Sequence, residues 1–328
     1  MRVLVTGGAG YIGSHIVKEL LSKDYQVTIL DNLQSGHLEA ITGGDFIQGD
    51  LADSELLDNL FEKHKIDAVI HLAANSLVGE SMVQPGKYFR NNICHGLNLL
   101  DTMVKYGVNK LVFSSTAAVY GEPDNTPITE SFSVRPTNNY GKSKLMFEEI
   151  LNSYNQAHGL KAIALRYFNA AGADPGGLIG EAHNPETHLI PLALQVAKGV
   201  REKLFIYGTD YPTSDGTCIR DYIHVNDLAS AHLLSLEALF NGADSGVYNL
   251  GNGSGYSVKQ VIETIKKISG LPIRVEEMDR RPGDPAVLVA SSEKIQGELG
   301  WQPRYSDLDF IIETAWKWHQ EKGSYVCQ

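Results

Sequence analysis

The 328-residue chain carries a formal net charge of −11, with 43% hydrophobic and 20% charged residues. The acidic balance argues against nucleic acid or an anionic membrane surface as a partner, and no apolar run approaches membrane-spanning length. The composition is that of a water-soluble globular protein whose length is long for a single core, so two lobes are expected.

The chain opens on Val3-Leu4-Val5, which runs into glycines at 7, 8, 10 and 13. Ile12, Ile16, Leu20 and Leu21 then follow at helical spacing. This is a strand, a tight turn and a helix start. Gly8, Gly10 and Gly13 satisfy G-x-G-x-x-G, and Gly7, Gly10 and Gly13 the looser G-x-x-G-x-x-G. Such a turn lets a pyrophosphate approach the backbone, and the helix N-terminus offers it free N–H groups. The next apolar run, Val27-Thr28-Ile29-Leu30, ends on Asp31, about 20 residues downstream as a dinucleotide fingerprint requires. A carboxylate there can hold both ribose hydroxyls and repel a 2′-phosphate. With no basic residue at 32 or 33, the pattern favours NAD over NADP.

Alternation continues with candidate strands at Asp45–Gln48, Ala68–Leu72, Lys110–Ser114 and Lys161–Arg166, and helical patterns near Ser54–Lys63, Tyr88–Tyr106 and Lys142–Ala157. That order predicts an α/β fold, a doubly wound parallel sheet of the Rossmann type. Ligands then lie outside the carboxyl ends of the strands. Asp50-Leu51, His71-Leu72-Ala73-Ala74, Ser114-Ser115-Thr116 and Tyr167-Phe168-Asn169 are therefore the segments to read for chemistry.

Beyond Asn169 the texture changes. Ala170–Glu186 reads as a Gly/Pro/Ala-rich loop leaving the sheet, followed by a helix near Pro191–Gly199 and strands at Leu204–Tyr207 and Ile273–Glu277. A helix at Val225–Leu239 and a strand at Val247–Leu250 look able to rejoin the first lobe. The expected division is a dinucleotide-binding lobe at 1–169, rejoined by about 219–252, and a smaller discontinuous α/β substrate lobe from about 170–218 and 253–328. Glu276–Arg281 is a mixed charge run that composition alone assigns to a solvated face.

Cys94, Cys218 and Cys327 lack metal-ligand spacing, and the 11 histidines form no evident ligand cluster; His183 and His188 read as solvated loop residues. With no signal peptide ahead of the first strand, a reduced, cytoplasmic enzyme without a metal is expected.

Tyr140-Gly141-Lys142-Ser143-Lys144 is a Y-x-x-x-K at a predicted helix start, with phenol and ammonium on one face. A neighbouring ammonium and a positive nicotinamide ring favour the phenolate and are expected to lower the tyrosine pKa, making Tyr140 a general base. Arg220 and Arg281 can give charge-assisted bonds to a diphosphate that the acidic chain otherwise repels. Surface pairing, Arg220 with Asp221 and Arg281 with Asp284, fits the same residues.

The fingerprint, Ser114-Ser115-Thr116 and the Tyr/Lys pair together resemble the extended short-chain dehydrogenases/reductases. Thr6–Ser14, His71–Ser81, Phe113–Gly121, Tyr140–Met146, Arg166–Gly172, Arg220–Val225 and Tyr248–Gly251 narrow the resemblance to the UDP-glucose 4-epimerase family, over about residues 1 to 320. The resemblance implies a tightly held NAD, regenerated each turnover, and a UDP-sugar substrate. It implies Thr116 at the sugar O4, Tyr140 as base and Lys144 as its partner. It also implies cofactor contacts from Gly7, Gly10, Tyr11, Ile12, Gly13, Asp31, Asn32, Asp50, Leu51, Leu72, Ala73, Ala74, Asn91, Ser114, Tyr140, Lys144, Tyr167 and Phe168. Substrate contacts are implied from Thr116, Asn169, His188, Leu189, Leu204, Tyr207, Arg220, Arg281, Asp284 and Val287. In the implied mechanism hydride passes from sugar C4 to NAD⁺, the tethered 4-keto sugar turns over, and hydride returns with inversion. A homodimer is implied through the helices near Tyr88–Tyr106 and Lys142–Ala157, with Leu97, Leu100, Leu145 and Phe147 as candidates.

Dehydratases and decarboxylating relatives carry extra acid–base groups after the threonine, where this chain has Ala117-Ala118, so epimerisation is favoured. An idle NAD-binding redox sensor would not need the intact Tyr140/Lys144 pair. Three positions depart from many relatives: Ser76 replaces a lysine, His188 an asparagine, and Val287 a bulky gate tyrosine. The last leaves room for a 2-acetamido group.

Overall fold

The computed structural model describes residues 1–281, 284–322 and 325; Cys327, noted above, lies outside them. The chain alternates strand and helix through β1 (Arg2–Thr6), α1 (Tyr11–Ser22), β2 (Gln26–Asp31), β3 (Asp45–Gln48), α2 (Ser54–His64) and β4 (Ala68–His71). Two short helices, α3 (Val78–Val83) and α4 (Pro85–Phe89), precede α5 (Gly96–Lys105), β5 (Lys110–Thr116), α6 (Asn139–His158), β6 (Lys161–Tyr167) and β7 (Asn169–Ala171). The rest comprises α7 (Leu189–Ala197), β8 (Leu204–Tyr207), β9 (Ile219–His224), α8 (Val225–Phe240), β10 (Gly246–Leu250), β11 (Gly255–Ser257) and α9 (Val258–Ser269). It closes with β12 (Val275–Met278), β13 (Val287–Leu288), α10 (Glu293–Leu299) and α11 (Leu308–Glu321).

Seven strands form one parallel sheet in the order β10-β6-β5-β4-β1-β2-β3. The order reverses at β1, which lies between β2 and β4, and a crevice opens beyond the strand ends at such a switch point. Period-two alternation puts Val3 and Val5 in one core with Ile16, Leu20, Leu228 and Trp301. Leu4 points to the other face, into a core with Leu57, Phe61, Leu111 and Phe147. Burial on both faces explains why these strands read as unbroken apolar runs. A third core gathers Leu194, Ile206, Ile262 and Ile311 from α7, β8, α9 and α11. Beside it β9 pairs with β7, β11 and β13 in a second sheet, and β8 pairs with β12 in a third.

The helix expected over Tyr88–Tyr106 is interrupted. Between α4 and α5 the backbone runs in wide i→i+5 turns over Arg90–His95. There the Asn92 amide donates to Asn75 O (3.0 Å) and Ser143 Oγ (2.9 Å), fastening the loop after β4 to α6. Of the apolar residues expected at a dimer face, Leu100 and Phe147 are fully buried in this chain's own core, because α5 and α6 pack on the sheet with the Phe147 ring against Gly96. Strands β9 and β11 and helices α9, α10 and α11 were not anticipated. For α9 the signal was present, since Ser257 and Gln260 form a capping box. Of the three cysteines Cys94 and Cys218 are free thiols, and among the described residues no helix is long and apolar enough to cross a membrane.

A buried ion pair links α6 to β6: Arg166 meets Glu148 at 3.0 Å (Nε) and 2.5 Å (Nη2), both side chains 7% exposed. Arg166 also donates to Tyr120 Oη, which donates to Asn249. Glu148→Ala strands the guanidinium, and the expected loss of stability is ~3–5 kcal/mol in urea denaturation. Arg166→Met with Glu148→Leu recovers most of it; an equal loss in the double variant would contradict this reading.

Candidate active site

The turn after β1 is shaped by what a Cβ would strike. Gly7 has φ +74° and a Cβ there would lie 2.7 Å from Ala73 N; one on Gly13 would lie 2.1 Å from Gly7 O. The backbone of β1, the start of α1 and the end of β4 therefore close to distances only glycine allows. Leu72 and Ala73 N–H groups both donate to Thr6 O (3.0 and 3.1 Å), and Ala74 follows them at the strand end. Gly10 is the N-cap of α1 and no side chain caps that helix, leaving its first turn, with Tyr11 and Ile12, open to an anion. The Tyr11 phenol is committed elsewhere, donating to Gly172 O at 2.6 Å, and Ile12 packs against the core.

Asp31 sits at the end of β2, 8% exposed, accepting from Ala9 N (3.0 Å) and Leu33 N (2.8 Å). Burial pushes its pKa up, against those two bonds. Asn32 donates to Asp50 at 2.7 Å, and Leu51 O accepts from Asn98, so the ends of β2 and β3 form one rim. Asn91 reaches the same side of the sheet through Asn92 (3.0 Å).

At the end of β5 the chemistry converges. α6 is capped by Asn138, whose side chain accepts from Gly141 N at 2.8 Å, so Tyr140 lies in the first turn with Lys144 one turn on. Lys144 is 4% exposed; its Nζ donates to Ser114 O at 2.8 Å and stands 4.8 Å from the Phe113 ring centre. Burial pushes its pKa down to about 7, with Glu148 opposing. Burial also pushes Tyr140 up to about 12, with the Thr116 hydroxyl working the other way. Among the chain's own groups this runs opposite to the expected lowering, because desolvation of the phenol outweighs the Thr116 bond. Thr116, 8% exposed, accepts from Ala118 N at 3.1 Å.

His232, which no sequence pattern singled out, fixes Ser114. Its Nδ1 donates to Leu228 O (2.8 Å), leaving Nε2 to accept the Ser114 hydroxyl (2.8 Å). Burial holds this imidazole neutral, its pKa lowered to about 4. Tyr167 neighbours Ser114, Tyr140 and His232, and its phenol is raised by burial first and Tyr140 second. Phe168 packs beside Tyr120 and Leu145. The only clue to His232 was a polar residue on the buried face of α8.

Across the crevice Asn169 donates to Asp221 O at 2.9 Å. Asp221, wholly buried and also missed, accepts from Asn252 N (2.8 Å), Gly253 N (3.2 Å) and Ala290 N (3.1 Å) and so knits β9 to the ends of β10 and β13. Arg220 pairs with Asp284, not with Asp221, and donates to Pro285 O at 2.9 Å. Arg281 stacks on Tyr207, 3.8 Å from its ring centre. Val287 is half-buried on β13, directly beside Ile219 of β9. A small cleft is lined by Asn169, His188, Leu189 and Tyr222, among others. Leu204 is 2% exposed, its side chain within the third core. His183 and His188 both face Glu181; the His183 side chain is 28% exposed, and that of His188 stays 51% exposed.

Residues 3–251 match the NAD dependent epimerase/dehydratase family. A UDP-glucose 4-epimerase from Halalkalibacterium halodurans is 56% identical over 321 residues, covering 98% of this chain and 96% of that protein. The chain belongs to the UDP-glucose 4-epimerase family. A crystal structure of a UDP-glucose 4-epimerase, 52% identical, matches with a TM-score of 0.98 over 99% of this chain and 100% of that one. The UDP-Glc/GlcNAc 4-epimerase from Campylobacter jejuni, 46% identical, matches at 0.86 over 98% and 99%. Membership makes the chain an isomerase that uses NAD. The cradle at Gly7 and Gly13, the uncapped α1 N-terminus and Asp31 fit that cofactor.

Lys144 also supplies a stability test within the epimerase. Its pKa is about 7 in the folded protein and 10.5 ordinarily, so between these values the unfolded chain binds the extra proton and stability rises with pH. Relative to Lys144→Met, wild type is expected to gain stability in urea as pH is raised across this window. Parallel stability–pH curves would contradict the buried-amine account.

Proposed function

We propose that the chain interconverts UDP-glucose and UDP-galactose through a 4-keto sugar, and also UDP-GlcNAc and UDP-GalNAc. The observation that carries the reading is Thr116, Tyr140 and Lys144 gathered at the end of β5, followed by Ala117-Ala118, which offer no second acid or base for elimination. When bound, NAD supplies a reversible hydride acceptor and a positive charge that favours the phenolate. Gly7, Gly10, Gly13, Asp31 and the rim of Asn32, Asp50 and Leu51 would hold it. Tyr140 takes the sugar 4-hydroxyl proton and gives it back, while Thr116 holds the sugar O4 and Lys144 fixes the local field. Ser114, oriented by His232, and Tyr167 complete the wall of the site.

The nucleotide end is held by Asn169, Leu189, Tyr207, Arg220 and Arg281, with Asp284 and His188 in support. Arg220 and Arg281 supply the local positive charge a diphosphate needs in a chain of net charge −11. Concentrating affinity there leaves the sugar loosely held, as a ring that must present both faces requires. The lobes divide near 169, with about 219–252 returning to the dinucleotide-binding part. A homodimer, through the faces of α5 and α6 that carry Leu97 and Leu145, and a reduced cytoplasmic setting belong to the same proposal.

Tyr140→Phe is expected to lower kcat by roughly 10²–10⁴-fold with little change in UDP binding. A variant of near wild-type rate would overturn the assignment. Val287→Tyr should abolish turnover of UDP-GalNAc and spare UDP-galactose, read by separating the products; equal loss of both would refute the gate.

A further inference from the structure

Glu181, His183, Glu186 and His188 bring four potential ligand atoms within 4.8 Å of one another. Glu181 Oε1 lies 3.1 Å from His183 Nδ1 and 2.7 Å from His188 Nδ1. Glu186 stands 3.2 Å from His188 Nδ1 through Oε1 and 3.9 Å from His183 Nδ1 through Oε2. A four-coordinate ion with bonds of about 2.0–2.1 Å has tetrahedral edges of about 3.3 Å, in the middle of that span.

The cluster is preformed by contacts from outside its four side chains. Trp318 Nε1 donates to Glu181 O at 3.1 Å, and His37 Nε2 donates to Ala182 O at 2.7 Å. A Cβ on Gly180 would lie 2.5 Å from Trp318 Cγ, so the indole fixes the loop closely. Glu186 Oε1 receives the N–H groups of Thr187 (2.7 Å) and His188 (2.8 Å), which aims its carboxylate. Both glutamate side chains are only 6% exposed. Two carboxylates so removed from water require positive charge, and a divalent ion with two neutral imidazoles balances them. Two nitrogen and two oxygen donors at tetrahedral spacing suit zinc and disfavour calcium or magnesium, which take more oxygens.

We propose that Glu181, His183, Glu186 and His188 form a structural site for a zinc-class divalent ion, pinning the 180–188 loop beside the Gly-rich turn. Tyr11, in that turn, packs edge-on to His183 at 6.2 Å between ring centres, so the ion would couple the loop to α1. It would also hold His188 at the mouth of the cleft that Asn169 and Tyr222 line.

The test uses full-length protein stripped with a chelator, then titrated with Zn²⁺ by calorimetry and with Co²⁺ by visible absorption. One Zn²⁺ per chain, a rise in Tm on binding and the intense Co²⁺ bands of four-coordination are expected. His183→Ala and Glu186→Gln should each weaken Zn²⁺ binding by at least roughly tenfold, and either serves if the other fails to fold. Absence of stoichiometric binding, equal affinity in wild type and both variants, or a weak octahedral Co²⁺ spectrum would overturn the site. The cluster would then be a histidine–glutamate pair alone.

Discussion

The amine of Lys144, almost sealed from water and donating to the Ser114 carbonyl, is the contact on which the site depends. It can be met there only if α6 lies across the end of β5. The surrounding structure enforces that placement: Asn138 caps the helix, Phe147 fills the space at Gly96, and Glu148 is locked to Arg166 on β6. The burial that fixes the amine also pushes its proton off, so the site accepts an unfavourable environment for charge in return for position. For Tyr140, one turn earlier on the same helix, burial works the other way and holds the proton on.

Around that contact two kinds of order meet. The parallel sheet supplies rigid strand ends, with backbone approaching so closely at Gly7 and Gly13 that side chains are excluded. The β7-β9-β11-β13 sheet supplies the opposite wall, held by one buried carboxylate, Asp221, whose three backbone partners lie on two segments, those that follow β10 and β13. Burial raises the pKa of Asp221 to about 6, a sign that it is retained for geometry, since an apolar group could not gather three N–H groups at one point. Arg220, next in sequence, points instead to Asp284 and Pro285.

The parallel sheet was legible because its information is local. Glycine spacing, a carboxylate at the end of β2 and apolar runs of strand length are properties of short windows, and β3 and β8 fall on their expected bounds. The Tyr/Lys spacing was legible for the same reason. What escaped was long-range. His232 matters through Ser114, 118 positions away, and Asp221 through Ala290, 69 away. The burial of the Leu204 side chain under α7 likewise depends on packing between distant segments. The upward push on the Tyr140 pKa escaped because desolvation is set by the whole fold, whereas the neighbouring ammonium is visible in five letters of sequence.

The central claim is that a proton-moving tyrosine works beside a hydride carrier that stays in its cradle. It is tested most directly by incubating the purified protein, without added nucleotide, with UDP-galactose carrying deuterium at C4. The account predicts UDP-glucose with the deuterium retained at C4. Loss of the label to water, or turnover only when NAD is supplied in solution, would contradict it.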